Sequence, residues 1–290
     1  MHTLKLNPLE VTLMKKLTKI FAALAISALA LTAVGCGGSA KKAEPKKADP
    51  KEPIKIGVTA GPHAEIMDNV IKLADKQGLK VKAVEFSDFV TPNVALADKQ
   101  LFANSMQHEP YLKATLAKNP KFELVKCFNT VTFPMAIYST KIKKLEDIKE
   151  GSTVAIPNDP SNGGRALLVL ADKGIIEVKD KNSVATTVAD ITKNPKKLKI
   201  KELDAASIPK ALSDVDFAVI NANYAMIAKL DPAKDAIAVE RGDNPYVCIF
   251  VTTKANAKDP RIEQLKKIYQ SPENKKFIQD HFKGSIIAGF

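Results

Sequence analysis

The chain has 290 residues, 45% of them hydrophobic and 26% charged, which is enough apolar material for an ordinary core and excludes wholesale disorder. Its formal net charge is +12, and removing residues 1–36, which hold four Lys and one Glu, leaves +9. The lysines are spread along the chain with only a short cluster at 41–51, and no RNA- or DNA-binding signature accompanies them, so a solvated basic surface is expected and no nucleic-acid partner.

The first element is an address rather than a fold. Lys15, Lys16 and Lys19 precede an apolar run from Ile20 to Val34, the n-region and h-region of a secretory signal. That run, about 15 residues and rich in Ala, falls short of the roughly 20 needed to span a bilayer. Ala33 and Gly35 sit just before Cys36, and the stretch from Leu31 to Cys36 resembles a bacterial lipobox, in which the cysteine is lipidated and becomes the first mature residue. Ordinary cleavage with release of a free protein is the alternative. Met14-Lys15-Lys16 reads as a conventional signal start, so translation is expected to begin there. Residues 37–53 are Gly, Ser, Ala, Lys, Glu, Pro and Asp, a flexible tether that lets a folded domain stand off the membrane. Basic surface near the anchor is expected to attract anionic headgroups as a secondary effect.

From Ile54 short apolar strands alternate with amphipathic helical stretches, the rhythm of an α/β protein with largely parallel strands. Strands are predicted at 54–58, 79–86, 101–104, 122–127 and 131–139, with helices opening at Pro62, Pro92 and Pro110. A second unit follows, with strands at 153–156, 200–203, 217–220 and 236–240 and helices at 161–173, 208–212 and 222–229. A strand at 246–252 and two helices built on Ile262-Leu265-Ile268 and Phe277-Ile278-Phe282 finish the chain. Two α/β units, with the chain returning to the first near Tyr246, predict a bilobed protein: lobe 1 from 54–138 plus 246–290, lobe 2 from 139–245. The cleft between them is the expected site, with hinges near 138–140 and 241–246.

Three clusters put polar groups where a strand ends and a helix begins, the edge of α/β sheets at which ligands bind. In the first, residues 157–165, a helix N-terminus is offered to an anion and Arg165, one turn in from Asn162, is placed to grip a carboxylate with two hydrogen bonds. The sequence there lacks the Gly-Lys-Ser/Thr ending of a phosphate loop. A capped helix with a surface Arg explains the same residues. The second cluster holds Asn221 and Asn223, able to accept from an ammonium and donate to a carboxylate, or simply to cap a helix. In the third, Met106, His108 and Tyr111, joined by Phe89, would make a polarizable wall suited to a thioether. A lone histidine is more often structural, and His108 gains only from these neighbours.

Nothing in the chain reads as an enzyme: there is no G-x-S-x-G, no H-E-x-x-H and no convincing Cys/His pair. His2, His63, His108 and His281 are scattered, so neither metal nor cofactor is expected. Cys127 and Cys248 lie in strand-like apolar stretches and are expected to be free, buried thiols.

The phrases FSDFVTPN at 86–93, MQHEPYL at 106–112, IPNDPSN at 156–162 and INANYA at 220–225, in order over about 54–290, resemble methionine-binding lipoproteins of ABC importers, the NlpA/MetQ type. The resemblance implies a type II periplasmic-binding-protein-like fold and capture of methionine, L- or D-, in the interlobe cleft for delivery to permease and ATPase subunits. It also implies a lipid anchor on the extracytoplasmic side, at the cell surface or in the periplasm. In that family the Arg matching Arg165 holds the ligand carboxylate, and Asn residues matching Asn162 and one of Asn221 or Asn223, the spacing favouring Asn223, hold the polar end. His108 and Tyr111 match directly, whereas Phe89 stands where members usually have Tyr, Met106 where they have Phe, and Cys248 where Asn is common. Those departures leave room for a methionine-containing dipeptide or another amino acid, and a surface lipoprotein or adhesin is the reading from a different class. Arg165→Ala is expected to abolish binding and leave the fold intact.

Overall fold

Strand β1 (Ile54–Thr59) opens the structure, a computed structural model that describes residues 52–242 and 244–290. The signal, Cys36 and nearly all of the tether lie outside the described residues. Helix α1 (Pro62–Lys76) returns the chain along β1, starting at a proline whose missing N–H costs nothing in a first turn. It buries Ile66, Met67, Val70 and Ala74 on one stripe. Strand β2 (Val81–Phe86), helix α2 (Thr91–Ala97), strand β3 (Ala103–His108) and helix α3 (Glu109–Lys118) continue the alternation. The third strand runs four residues past its predicted end, so it carries Met106 and His108 itself. All six of its residues are buried. Their polar character hid the strand, and the burial is tolerated because the amides of Asn93, Asn104 and Gln107 satisfy one another at 2.6–2.9 Å.

The predicted strand at 131–139 is two strands. β4 (Leu124–Thr132) ends before Phe133-Pro134, and β5 (Ala136–Tyr138) pairs in a different sheet, because Pro134 cannot donate to a ladder. The chain therefore crosses between sheets at 133–135, ahead of the boundary at 138 and the hinge at 138–140 expected from sequence. The second unit holds β6 (Thr153–Pro157), α4 (Pro160–Asp172), β7 (Glu177–Val178), β8 (Ile191–Lys193), β9 (Lys199–Leu203), α5 (Ile208–Ala211), β10 (Phe217–Ile220), α6 (Ala222–Ile227) and β11 (Ala238–Val239). The chain then recrosses to β12 (Val247–Thr253), α7 (Pro260–Tyr269), α8 (Pro272–Phe282) and β13 (Ile287–Ala288). The short β7–β8 ribbon and β13 had no signal in the sequence.

Among the described residues the strands form two large sheets, in the orders β13-β4-β12-β3-β1-β2 and β11-β5-β10-β6-β9. Each has three parallel strands at one side, β3-β1-β2 and β10-β6-β9, and antiparallel strands beyond them. Apolar clusters cover the faces of each: Ile56, Ile66, Phe250 and Ile278 in one cluster of the first sheet, Leu96, Leu112 and Ile249 in another. For the second sheet they are Ile156, Leu167 and Phe217, then Tyr138, Ile208 and Ile220. These are the two lobes, and both belong to one compact unit. Contacts join them across the gap: Tyr224 Oη donates to the Ser87 carbonyl at 3.4 Å, the rings of Phe89 and Tyr224 lie 4.8 Å apart, and Ser285 Oγ donates to Asp231 Oδ1 at 3.2 Å.

Candidate ligand-binding site

Where the parallel strands of both sheets end, the lobes enclose a cavity of about 320 Å³ of non-atom space, part of it open to solvent. The eight side chains picked from the sequence all line it: Phe89, Met106, His108, Tyr111, Asn162, Arg165, Asn221 and Asn223. His63, Gln107, Phe133 and Cys248 line it too and were not picked. His63 follows the β1–α1 turn, a strand end meeting a helix start, so the same criterion that found the three clusters would have found it. Burial holds this imidazole neutral, with its pKa lowered to about 3, and its ring lies 4.2 Å from that of Phe133.

Arg165 sits in the second turn of α4, whose first turn is capped by Asp159 accepting from the Asn162 backbone N–H at 2.9 Å. Its guanidinium is not the free fork expected from sequence. Nε donates to Glu240 Oε1 at 2.9 Å, while Nη2 donates to Glu240 Oε2 and, at 2.8 Å, to the Phe133 carbonyl. The cation also lies 4.4 Å from the centre of the Tyr246 ring. Nη1 takes part in none of those bonds, so what remains for a ligand is one nitrogen rather than a bidentate edge. Glu240 and Tyr246 were read from sequence only as strand ends. Removing Arg165 would strand a buried carboxylate, so Arg165→Ala is expected to destabilise the fold as well as to abolish binding.

Asn162 is a junction. Its Oδ1 accepts from Asn221 Nδ2 at 2.9 Å and faces His108 Nε2 at 3.1 Å, while its Nδ2 donates to the Asp159 carboxylate at 2.9 Å. His108 Nδ1 accepts from the Tyr111 N–H at 3.2 Å, capping α3, which leaves the proton on Nε2 and aimed at Asn162. Burial, then the nearby Arg165 charge, lowers the His108 pKa to about 3, so this imidazole is neutral. Among the described residues, buried Asn221 Oδ1 and Asn223 Nδ2 have no hydrogen-bond partner. One acceptor and one donor are thus left open beside Arg165, in a wall where unsatisfied polar atoms are rare.

The remainder of the lining is soft. Phe89 stands edge-on to Tyr111 at 5.9 Å, His108 edge-on to Tyr246 at 5.0 Å, and Met106 is 2% exposed. Cys248 is free and buried, and burial raises its thiol pKa to about 12, so it is an S–H rather than a thiolate. Cys127 is also free but only partly buried. Among the described residues no group of His, Cys, Asp and Glu could hold a metal ion.

Residues 54–290 match the family described as NlpA lipoprotein. The chain belongs to that family. Among NlpA relatives, the D-methionine-binding lipoprotein MetQ of Escherichia coli K12 is 41% identical over 275 residues, 94% of this chain and 98% of the relative. A nutrient binding protein from Burkholderia cenocepacia, solved bound to methionine, is 47% identical with a TM-score of 0.79, covering 82% of this chain and 100% of that one. The solved methionine binding protein MetQ is 42% identical with a TM-score of 0.80, covering 83% and 99%. The α/β, two-lobed architecture is therefore that of the NlpA binding proteins, and the family's role is binding, not catalysis. None of the described helices is long and apolar enough to cross a membrane. NlpA members are lipoproteins, held at the membrane by lipid.

Proposed function

We propose that the chain is the substrate-binding lipoprotein of a methionine ABC importer. The observation that carries this reading is the pairing of an open acceptor, Asn221 Oδ1, with two donors, Asn223 Nδ2 and Arg165 Nη1, in one cavity walled by sulfur and aromatic side chains. An α-amino acid head group needs one acceptor for its ammonium and donors for its carboxylate. Its thioether tail then lies against Met106, Phe89, His108 and Tyr111, where each sulfur–aromatic contact contributes about 0.3–1.5 kcal/mol. Asn162 acts through its neighbours, holding His108 and Asn221 in place. The methionine-bound Burkholderia relative supports the same ligand class.

Membrane attachment is through Cys36, the protein faces the extracytoplasmic side, and its partners are the permease and ATPase subunits that take the released ligand. Titration calorimetry of the domain freed of ligand tests the binding: one saturable site for methionine is expected, and no heat would sink the reading. Native mass spectrometry of protein purified without refolding would name a retained ligand, separating methionine from a dipeptide. Cys36→Ala should move the protein from the membrane to the soluble fraction, and continued fractionation with membranes counts against the anchor.

A further inference from the structure

We infer that Glu240 is a specificity-determining residue that fixes the ligand's net charge at zero, by cancelling the charge of Arg165 inside the cavity wall. The inference rests on the amino-acid-binding reading above and adds to it a rule about which relatives of the ligand are refused.

Of the described lining residues, Arg165 alone carries a formal charge at neutral pH, since His63 and His108 are held neutral by burial. Glu240 is not among them. It lies behind the guanidinium, its two oxygens taken by Nε and Nη2, with Oε2 also accepting from the Met135 N–H at 3.1 Å. The two side chains are 3% and 8% exposed, so water screens the pair only weakly. A ligand therefore meets a cation and an anion side by side, whose fields largely cancel, rather than a bare guanidinium. Asp159, a carboxylate bonded to the lining residue Asn162, is half-buried and spent on that side chain and on the first turn of α4.

An unpaired charge in such a wall is strongly disfavoured. A monocarboxylate brings a net −1 that Glu240 has already answered, and an amine without a carboxylate brings a net +1 with no counter-ion. A zwitterion adds nothing to the sum, and its two poles meet Asn221 Oδ1 on one side and Asn223 Nδ2 with Arg165 Nη1 on the other. Without Glu240 the same cavity would hold an uncompensated guanidinium and become a receptor for any monocarboxylate with the right tail. Glu240 thus acts on ligand choice through Arg165, without lining the cavity.

Calorimetry with three ligands sharing one tail tests this: methionine, its α-desamino carboxylate (a monoanion) and methionine amide (a monocation). The wild type should bind both charged analogues roughly 100-fold or more weakly than methionine. Glu240→Gln, which keeps an oxygen for the Met135 N–H, should raise the affinity of the monoanion relative to methionine by at least about tenfold and leave the amide refused. A variant that shifts all three affinities by one common factor shows a merely structural Glu240 and overturns the inference. If the melting curve shows that Glu240→Gln does not fold, the wild type decides: refusal of both charged analogues supports neutrality, and acceptance of either one overturns it. A wild type that binds no methionine defeats the amino-acid reading itself, whereas one that binds all three alike defeats only this inference.

Discussion

Glu240 grips Arg165 side-on, each of its oxygens facing a different guanidinium nitrogen, in a pair whose side chains are 3% and 8% exposed. The pair joins α4 to the segment that recrosses between the lobes, so it is part of the fold as well as of the site. Arg165→Ala should therefore abolish methionine binding and also lower stability by about 3–5 kcal/mol, the usual cost of leaving one partner of a buried pair alone. Arg165→Met combined with Glu240→Gln should restore most of that stability and none of the binding. Urea unfolding and calorimetry on the same samples check both. Wild-type stability for Arg165→Ala would show that the carboxylate finds another partner.

Asn223 offers the opposite combination. Its side chain is buried at 2% exposure, and its Nδ2 has no partner among the described residues, so the folded protein gains little from it without ligand. Asn223→Leu should weaken methionine binding more than tenfold while leaving stability unchanged or higher by about 1 kcal/mol, because an unsatisfied buried donor is removed. Asn221→Leu should cost stability as well, since its Nδ2 donates to Asn162 at 2.9 Å. Equal losses of stability in the two variants would mean that the open donor of Asn223 is satisfied by water in the free protein.

Much of this could be read from residue order, and the misses have physical causes. Helices opening with Pro62, Pro92, Pro110, Pro160, Pro260 and Pro272 announce themselves, since proline at a first turn is a local signal. Strand ends that meet helix starts, with a proline as at Pro160 or without one as at Asn221, carry all eight expected side chains to one cavity. The strand at 103–108 was misplaced because its burial depends on an amide network that only assembles in three dimensions. Glu240 escaped for a related reason: its role is set by Arg165, 75 positions earlier, and no local pattern carries that distance. The crossing at 133–135 is legible in the residues, because Pro134 inside an apolar run argues against one continuous strand.

The glycines of the helical turn before Arg165 serve packing. A Cβ built on Gly163 would lie 2.7 Å from the Pro157 carbonyl oxygen, and one on Gly164 would lie 2.7 Å from the Thr186 carbonyl oxygen. Both obstacles are backbone, so neither can swing aside. The close approach that these glycines permit is thus made by the protein's own chain. Gly163→Ala and Gly164→Ala should each destabilise by about 1–3 kcal/mol, the cost of overpacking, despite alanine's better helix propensity. Gly163→Ala should also weaken binding, because it pushes on the turn that carries Asn162. Thermal unfolding checks the first expectation and calorimetry the second, and a gain in stability for either variant would show that the neighbouring turn yields.

Acid should unfold the domain earlier than its carboxylates alone require. His63 and His108 both have pKa values lowered from 6.5 to about 3, the first by burial and the second by burial followed by the Arg165 charge. An unfolded chain takes up these two protons near pH 6.5, whereas the folded one refuses them until about pH 3. Stability is thus fully present above pH 6.5 and is lost as pH falls through the window between the two values, at up to about 1.4 kcal/mol per pH unit for each histidine. The carboxylates whose pKa values are lowered in the folded state, such as Glu109 and Asp172, start from 4.5 and 3.8 and act only below that upper range. Between pH 6 and pH 4.5 the slope belongs mainly to the imidazoles, by about 1.4 kcal/mol per pH unit for each proton the unfolded chain gains. His63→Gln should reduce it by about one proton's worth, since glutamine does not titrate and fits a buried polar position. Urea unfolding at a series of pH values measures the slope directly. An unchanged slope in His63→Gln would mean that His63 is protonated in the folded protein, against its burial beside Phe133.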